Sequence, residues 1–198
     1  VVLIIQARLT GIRLPGKVLL PITGIPLLKY LLDRISSSET ADEIIVAIPD
    51  NAENDSLLNF CKSINVKYFR GSEYDVLDRF QSASEKYKAD IIVRLTADNP
   101  FIDTQIVDDV VNDYLANPVD YVGAVPGRNS GLPVGISVEV ISADALSKAW
   151  AGDISSGYRE HVTPYIYKNQ DLFTLRYYKV EKDYSNYRIT VDTVYDYM

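Results

Sequence analysis

"VVLIIQARLTGIRLPGKV", Val1 to Val18, joins a strand to a cationic loop, and its reading sets the rest of the chain. Val1–Gln6 is an unbroken apolar run rich in β-branched residues, the pattern of a strand covered on both faces. The loop that follows nearly spells a P-loop: Gly11, four residues, then Gly16-Lys17, but with Val18 where a Ser or Thr should stand. Val18 has no hydroxyl for a metal ion, and Pro15 has no N–H for a phosphate oxygen. A P-loop also runs straight into a helix whose N-terminus faces the anion. Here Pro21, Gly24 and Pro26 postpone any regular helix to about Pro26. The loop is therefore a different device.

Its charge still points to an anion. No Asp or Glu precedes Asp33, so Arg8, Arg13, Lys17 and Lys29 give residues 1–32 a local +4, against −7 for the chain and hence −11 for the remainder. Two readings stand at this point: a site for a small anion, or ordinary solvated loop charges. An acidic surface argues against nucleic acid or an anionic membrane as the main partner.

The remaining elements are those of an α/β protein, and 198 residues suit a single domain, 1–198. "PLLKYLLDRI" has apolar residues at helical spacing and should pack on a sheet. "EIIVAIP" (Glu43 to Pro49) and "DIIVRL" (Asp90 to Leu95) read as buried strands, and "VKYFRG" as a short one. "AENDSLLNFCKSI" reads as a helix with Asn51 as its cap, and "EYDVLDRFQSASEKY" as another. "DTQIVDDVVNDYLA" sets Ile106, Val107, Val110, Val111 and Tyr114 on one stripe. Beyond Asn117, "DYVGAV", "VGISVEVI", "FTLRYYKV" and "YRITVD" read as shorter strands, with helices near 143–151 and 158–169. The expected fold is a three-layer α/β/α sandwich with a mixed, mostly parallel sheet. Ligands of such sheets bind beyond the carboxyl ends of the strands. The basic loop after Gln6 and "TADNP" after Leu95 both begin there.

Among residues that could carry chemistry, Asp98 and Asp192 each end a strand-like run. Carboxylates so placed suit Mg2+, which takes few protein oxygens and fills its shell with phosphate and water. Asp98 also reads as an ordinary turn former, and Asp103 as the cap of the next helix. His161 is the only histidine and Cys61 the only cysteine, which excludes multi-ligand zinc and any intramolecular disulfide. Cys61 reads as a buried, inert thiol, and Trp150 as core. His161 is either a substrate ligand or base, or a packed, hydrogen-bonded side chain. Several tyrosines after Tyr158 are candidates to line a sugar pocket. No nucleophile elbow, Cys/His pair or dinucleotide fingerprint is present, so hydrolase and NAD chemistry have no anchor. No signal peptide or transmembrane-length segment is read, so the expected setting is the cytoplasm.

The stretches "IIQARLTGIRLPGKVLLPITGIPLL", "FRGSEYDVLDRF", "IIVRLTADNPFID", "REHVTPYIY" and "RITVDT" together resemble the spore-coat polysaccharide biosynthesis protein F family. That family belongs with the cytidylyltransferases that make CMP-activated acidic sugars, including the CMP-Kdo and CMP-acylneuraminate synthetases. The resemblance runs nearly the length of the chain, in the same order. It implies a nucleotidyltransferase fold, a homodimer, and transfer of CMP from CTP to a sugar hydroxyl with Mg2+ assisting and pyrophosphate leaving. It implies that Arg8, Arg13 and Lys17 hold the triphosphate, with Arg8, Lys17 and Asp98 nearest the chemistry. Asp98 and Asp192 would be the metal carboxylates. Gln6, Ala7, Leu9, Thr10, Arg79 and Thr96 would complete the nucleotide site, and Glu139, Arg159, Glu160 and His161 the acceptor site. The family usually reads Gly-Ser-Thr-Arg where this chain has Thr10-Gly11-Ile12-Arg13, which makes Thr10 the candidate replacement hydroxyl. It usually has Gly at Ala97 and Pro at Val194, and it continues past the position of Met198 into another helix, so a terminal element is expected beyond this sequence. Two other functions compete: a glycosyltransferase using a nucleotide-sugar, for which the usual Asp-x-Asp pair is absent from "TADNPFID", and a nucleotide-binding module without turnover.

Overall fold

The computed structural model describes residues 1–198, the side chain of Ser156 excepted. Strand β1 (Val2–Gln6) leads through the basic loop, a 3-10 turn at Lys17–Leu19 and a small hairpin, β2 (Pro21–Ile22) and β3 (Ile25–Pro26), into helix α1 (Leu27–Ile35). There follow β4 (Glu43–Pro49), α2 (Asp55–Ser63), β5 (Lys67–Gly71), α3 (Val76–Lys86), β6 (Ile91–Thr96) and α4 (Thr104–Ala116). The second half holds β7 (Tyr121–Ala124), β8 (Val138–Ser142), α5 (Ala143–Gly152), α6 (Ser156–His161), α7 (Pro164–Lys168), β9 (Leu175–Tyr177) and α8 (Val194–Tyr197).

Seven strands form one sheet in the order β5-β4-β1-β6-β8-β7-β9. β1 sits inside it, parallel to β4 and β6. β8 runs antiparallel to both of its neighbours, β6 and β7, and β9 is parallel to β7. The sheet is therefore mixed and mostly parallel, and its two faces carry separate apolar layers. Leu3 and Ile5 point to the side packed by α1, α2 and α4, whereas Val2 and Ile4 point to the side packed by α3, α5 and α7. This alternation explains why the strand read as a continuous apolar run: each residue has a helix to face. The helical stripe Val107, Val110, Val111 and Tyr114 is buried as expected, and Asp103 caps α4 by accepting from Gln105 N.

Four expectations change. "YRITVD" forms no ladder strand; it makes one isolated bridge, Val134 to Arg188. The helix expected over 158–169 is two short helices, because Pro164 has no N–H to continue the hydrogen-bond ladder. Trp150 is 40% exposed, and its indole N–H donates to Asp78 Oδ1 at 2.9 Å rather than packing in the core. Asn51 stands at the head of the 3-10 turn Ala52–Asn54, but its side chain makes no cap hydrogen bond and is used elsewhere.

Candidate active site

The carboxyl ends of β1 and β6 open into a cleft of ≈ 570 Å³ lined by the basic loop, the segment after β6 and the end of α6. The loop is closed on itself by Gly16 N donating to Leu9 O at 2.8 Å, and Val18 anchors it by burying all but 2% of its surface. Lys17 enters a single 3-10 turn, not a long helix, which settles the near-match to a P-loop.

Lys17 Nζ lies 2.8 Å from Asp98 Oδ2 and 2.9 Å from Asp192 Oδ1, with its side chain 14% exposed. Arg13 reaches Asp192 as well, at 2.8 Å. Asp98 follows β6, while Asp192 arrives from far along the chain, and the backbone explains the meeting. Val191 N and Thr190 Oγ1 donate to the Asp98 carbonyl at 2.9 and 3.1 Å. Beside them Gly135 holds φ +111°, and a Cβ there would stand 2.5 Å from Thr190 N, so only glycine lets the two segments approach. Thr193 caps α8 in a reciprocal capping box with Asp196. The Arg188 hydrogen bond, opposed by burial and joined by the Thr193 and Asp192 backbone, holds the Asp196 carboxyl far below the usual carboxylate range.

Gln6, Ala7, Arg8, Thr96 and Arg79 also line the cleft. Arg8 pairs with Glu160 at 3.3 Å. Arg79 is 2% exposed, donates from Nη1 to Ser72 O, and has a buried Nε without a protein partner. Burial, then the neighbouring Arg8, pulls its pKa down to about 10 against Glu73 and Asp75, so it is cationic at neutral pH. Glu160 and His161 line the cleft from the end of α6, and His161 is exposed, not packed.

Other expected site residues stand outside the cleft lining. Leu9 N donates to Asn54 Oδ1 at 2.8 Å, and Thr10 Oγ1 donates to Glu73 Oε1 at 2.5 Å, so the candidate replacement hydroxyl is already engaged. Arg159 clamps α6 by donating to Asp75 Oδ2, Trp150 O and Asp153 O at 2.7, 2.9 and 2.8 Å. Glu139 is 3% exposed and sits behind the cleft, ion-paired to Arg94. Among the described residues no tyrosine lines the cleft. Tyr158 receives Lys168, and Tyr167 and Tyr177 receive the Arg128 guanidinium.

Two polar residues that build this site carried no signal in the sequence. Arg94 lines the cleft beside Gln6, to whose Oε1 its Nε donates at 3.2 Å. Asn54, fully buried, accepts from Leu9 N and donates to Asn51 Oδ1 at 2.6 Å, and Asn51 in turn donates to Glu73. This relay ties the basic loop to the ends of β4 and β5. The backbone at Val162 is strained: φ 70°, ψ −58°, with Thr163 N donating to His161 O at 2.8 Å. That is a γ-turn of the positive-φ kind, costing about 1–3 kcal/mol for a β-branched residue.

Residues 2–198 match the cytidylyltransferase family. The chain belongs to the cytidylyltransferase family. Among its relatives, the uncharacterized protein MJ1063 of Methanocaldococcus jannaschii is 42% identical over 98% of this chain and 79% of its own length. The spore coat polysaccharide biosynthesis protein SpsF of Bacillus subtilis is 35% identical over 100% of this chain and 83% of its own. The solved structure of a cytidylyltransferase from Leptospira borgpetersenii superposes with a TM-score of 0.93 at 34% identity, covering 99% of this chain and 83% of that one. The nucleotidyltransferase fold expected from the sequence is the fold of the family. Among the described residues no helix of this cytidylyltransferase is long and apolar enough to cross a membrane.

Proposed function

We propose that this chain transfers CMP from CTP to a hydroxyl of a sugar acid, with pyrophosphate leaving, in the biosynthesis of a surface or spore-coat polysaccharide. The observation that carries the reading is Lys17 Nζ held 2.8 and 2.9 Å from two carboxylates, Asp98 after β6 and Asp192 before α8, with Arg8 and Arg13 on the same loop. Nucleotidyl transfer asks a protein for charge neutralisation and in-line positioning more than for a nucleophile of its own. Arg8, Arg13 and Lys17 supply cations along the path of a triphosphate, and Arg79 adds a buried one beside it. Glu160 and His161 present polar groups to an acceptor in the same cleft. The name of the Bacillus relative supports the polysaccharide setting.

Mg2+ fits the donors present. Among the described residues no group of three or more His, Cys, Asp or Glu could hold a metal alone. Asp98 and Asp192 are instead two hard oxygen donors that already share one cation, as suits an ion that completes its shell with phosphate. Bound there, Mg2+ would stabilise the charge developing on the phosphate oxygens. The family resemblance further supports a homodimer, which sedimentation of the purified protein would test, and the setting expected from the sequence is the cytoplasm.

The deciding experiment measures pyrophosphate release from CTP over a panel of sugar acids, for the wild type, Lys17→Ala and Asp98→Asn. Both variants should stay folded by circular dichroism and lose about 100-fold or more in turnover, the scale seen when a charge-stabilising group is removed. Unchanged turnover in both would refute the site. Transfer from a nucleotide-sugar without pyrophosphate would move the chain to the glycosyltransferases, and CTP binding without turnover to a binding module.

A further inference from the structure

Glu139 stands mid-strand in β8, buried, on the sheet face that carries Tyr121 and Ile141. Its Oε1 accepts from Tyr121 Oη and from Thr163 Oγ1, each at 2.7 Å. Its Oε2 accepts from Arg94 Nη1, and Arg94 Nε donates to Gln6. Burial, then the adjacent carboxylate, raises the Tyr121 hydroxyl well above its ordinary value, so it keeps the proton it donates. One carboxylate thus binds the cleft floor, where Gln6 and Arg94 lie, to Thr163, the last residue of the strained turn.

That turn is held from every side. The Val162 side chain is fully buried, Thr163 is tied to Glu139, and Arg159 clamps the preceding helix to the cap of α3 and the end of α5. A β-branched residue at φ 70° persists only where its surroundings over-determine it. The residues carried immediately before it are Glu160 and His161, both lining the cleft.

We propose that Glu139 is a positioning residue: through Thr163 it holds the strained His161–Thr163 turn against the cleft floor, and so fixes Glu160, His161 and Arg94 as one acceptor-facing wall. The inference rests on the reading that the cleft takes an acceptor beside CTP. It also reassigns Glu139, expected to touch the acceptor itself, to a place one bond behind it. Strain at Val162 is then the consequence of aiming two side chains into the cleft from a helix too short to do so unaided.

The chain's single histidine gives a test that needs no acceptor. The imidazole C–H signal of His161 should differ from that of the unfolded chain in the wild type and move to the unfolded position in Thr163→Val. Thr163→Ser, which keeps the hydroxyl, should restore it. Amide exchange over residues 156–163 should quicken by about tenfold or more in Thr163→Val, while CTP–Mg2+ affinity by calorimetry changes less than about twofold. Glu139→Gln should reproduce the exchange result if it folds; Thr163→Val decides the matter if it does not. An unmoved imidazole signal with unchanged exchange overturns the proposal, as does a loss of CTP affinity matching the loosening of the turn. Failure of the acceptor reading looks different: no pyrophosphate release by the wild type with any sugar acid, whatever the histidine signal does.

Discussion

Replacing Asn54 by Ala tests how the basic loop is held. Asn54 is fully buried, and its amide makes two bonds: Oδ1 accepts from Leu9 N at 2.8 Å, and Nδ2 donates to Asn51 Oδ1 at 2.6 Å. Truncation orphans the Leu9 N–H, at about 1–3 kcal/mol, and removes a second bond of net worth about 1 kcal/mol, since the half-buried Asn51 can recruit water. The sum is about 2–4 kcal/mol. For a chain of this size each kcal/mol moves the melting temperature by about 2–4 °C, so a loss of about 4–16 °C is expected. Arg8 stands next to Leu9, so CTP affinity should fall along with stability. Asn54→Asp keeps the acceptor for Leu9 but sets a carboxylate against Asn51 Oδ1, and it should be at least as damaging. Thermal melting by circular dichroism and calorimetric titration with CTP are the assays. A melting temperature within about 1 °C of the wild type, with unchanged CTP affinity, would show that water replaces the amide and that the relay does not position the loop.

Asp108 should give the fold an acid-sensitive component. Burial would raise its carboxyl, but hydrogen bonds from Ser38 and Thr40 and from the backbone of Glu39 and Thr40 hold it below its ordinary 3.8. The unfolded chain therefore takes up the proton first as pH falls, so the stabilisation is full above about pH 5 and fades below. Asp108→Asn should melt lower than the wild type at pH 7, and the gap should close on acidification; a gap that widens would reverse the sign. Burial pushes the Cys61 thiol up to about 12, so iodoacetamide should leave it unmodified at pH 8 until denaturant is added. CTP with Mg2+, at about 100 times its dissociation constant, should add about 2.7 kcal/mol to the folded state and raise the melting temperature more than ATP, GTP or UTP. Equal shifts from all four nucleotides would remove the preference for cytosine.

The fold was legible where burial alone dictates sequence. β1 and β4 are covered on both sides, so their apolar runs had no polar interruption to confuse them with helices, and β6 breaks the pattern only at Arg94, which faces the cleft. The loop cations, Asp98 and Asp192 each had an ordinary structural reading alone and were legible only as a set, which the ion pairs of Lys17 and Arg13 bring together. What escaped depends on partners distant in sequence. "YRITVD" is held by backbone hydrogen bonds to Val134 and Asp98 without joining a ladder, and nothing in its local alternation distinguishes the two. Arg159 and Glu139 carry the residue types of a binding site, yet their charges are spent on the protein: Arg159 on two backbone carbonyls and Asp75, Glu139 on Arg94, Tyr121 and Thr163. Thr10 likewise gives its hydroxyl to Glu73. The break before α7 did have a mark in the sequence, since Pro164 cannot donate to a preceding turn. The aim of the γ-turn before it did not.

Lys17 and Asp192 are 175 positions apart, and their meeting sets an order of events during synthesis. The ammonium leaves the ribosome early, as part of the central strand's own loop, and its second carboxylate follows after a delay of roughly 10–35 s at about 5–20 residues per second. In that interval β1, β4 and β6 can already pair, since all three precede Ile102, and Asp98 is in hand. The nascent chain can thus own most of its sheet while Lys17 still lacks its second carboxylate. Architecture comes first and the ion pair across the cleft comes late, so on the function proposed above a chain stalled before Asp192 could pair its central strands and still lack part of its site for CTP.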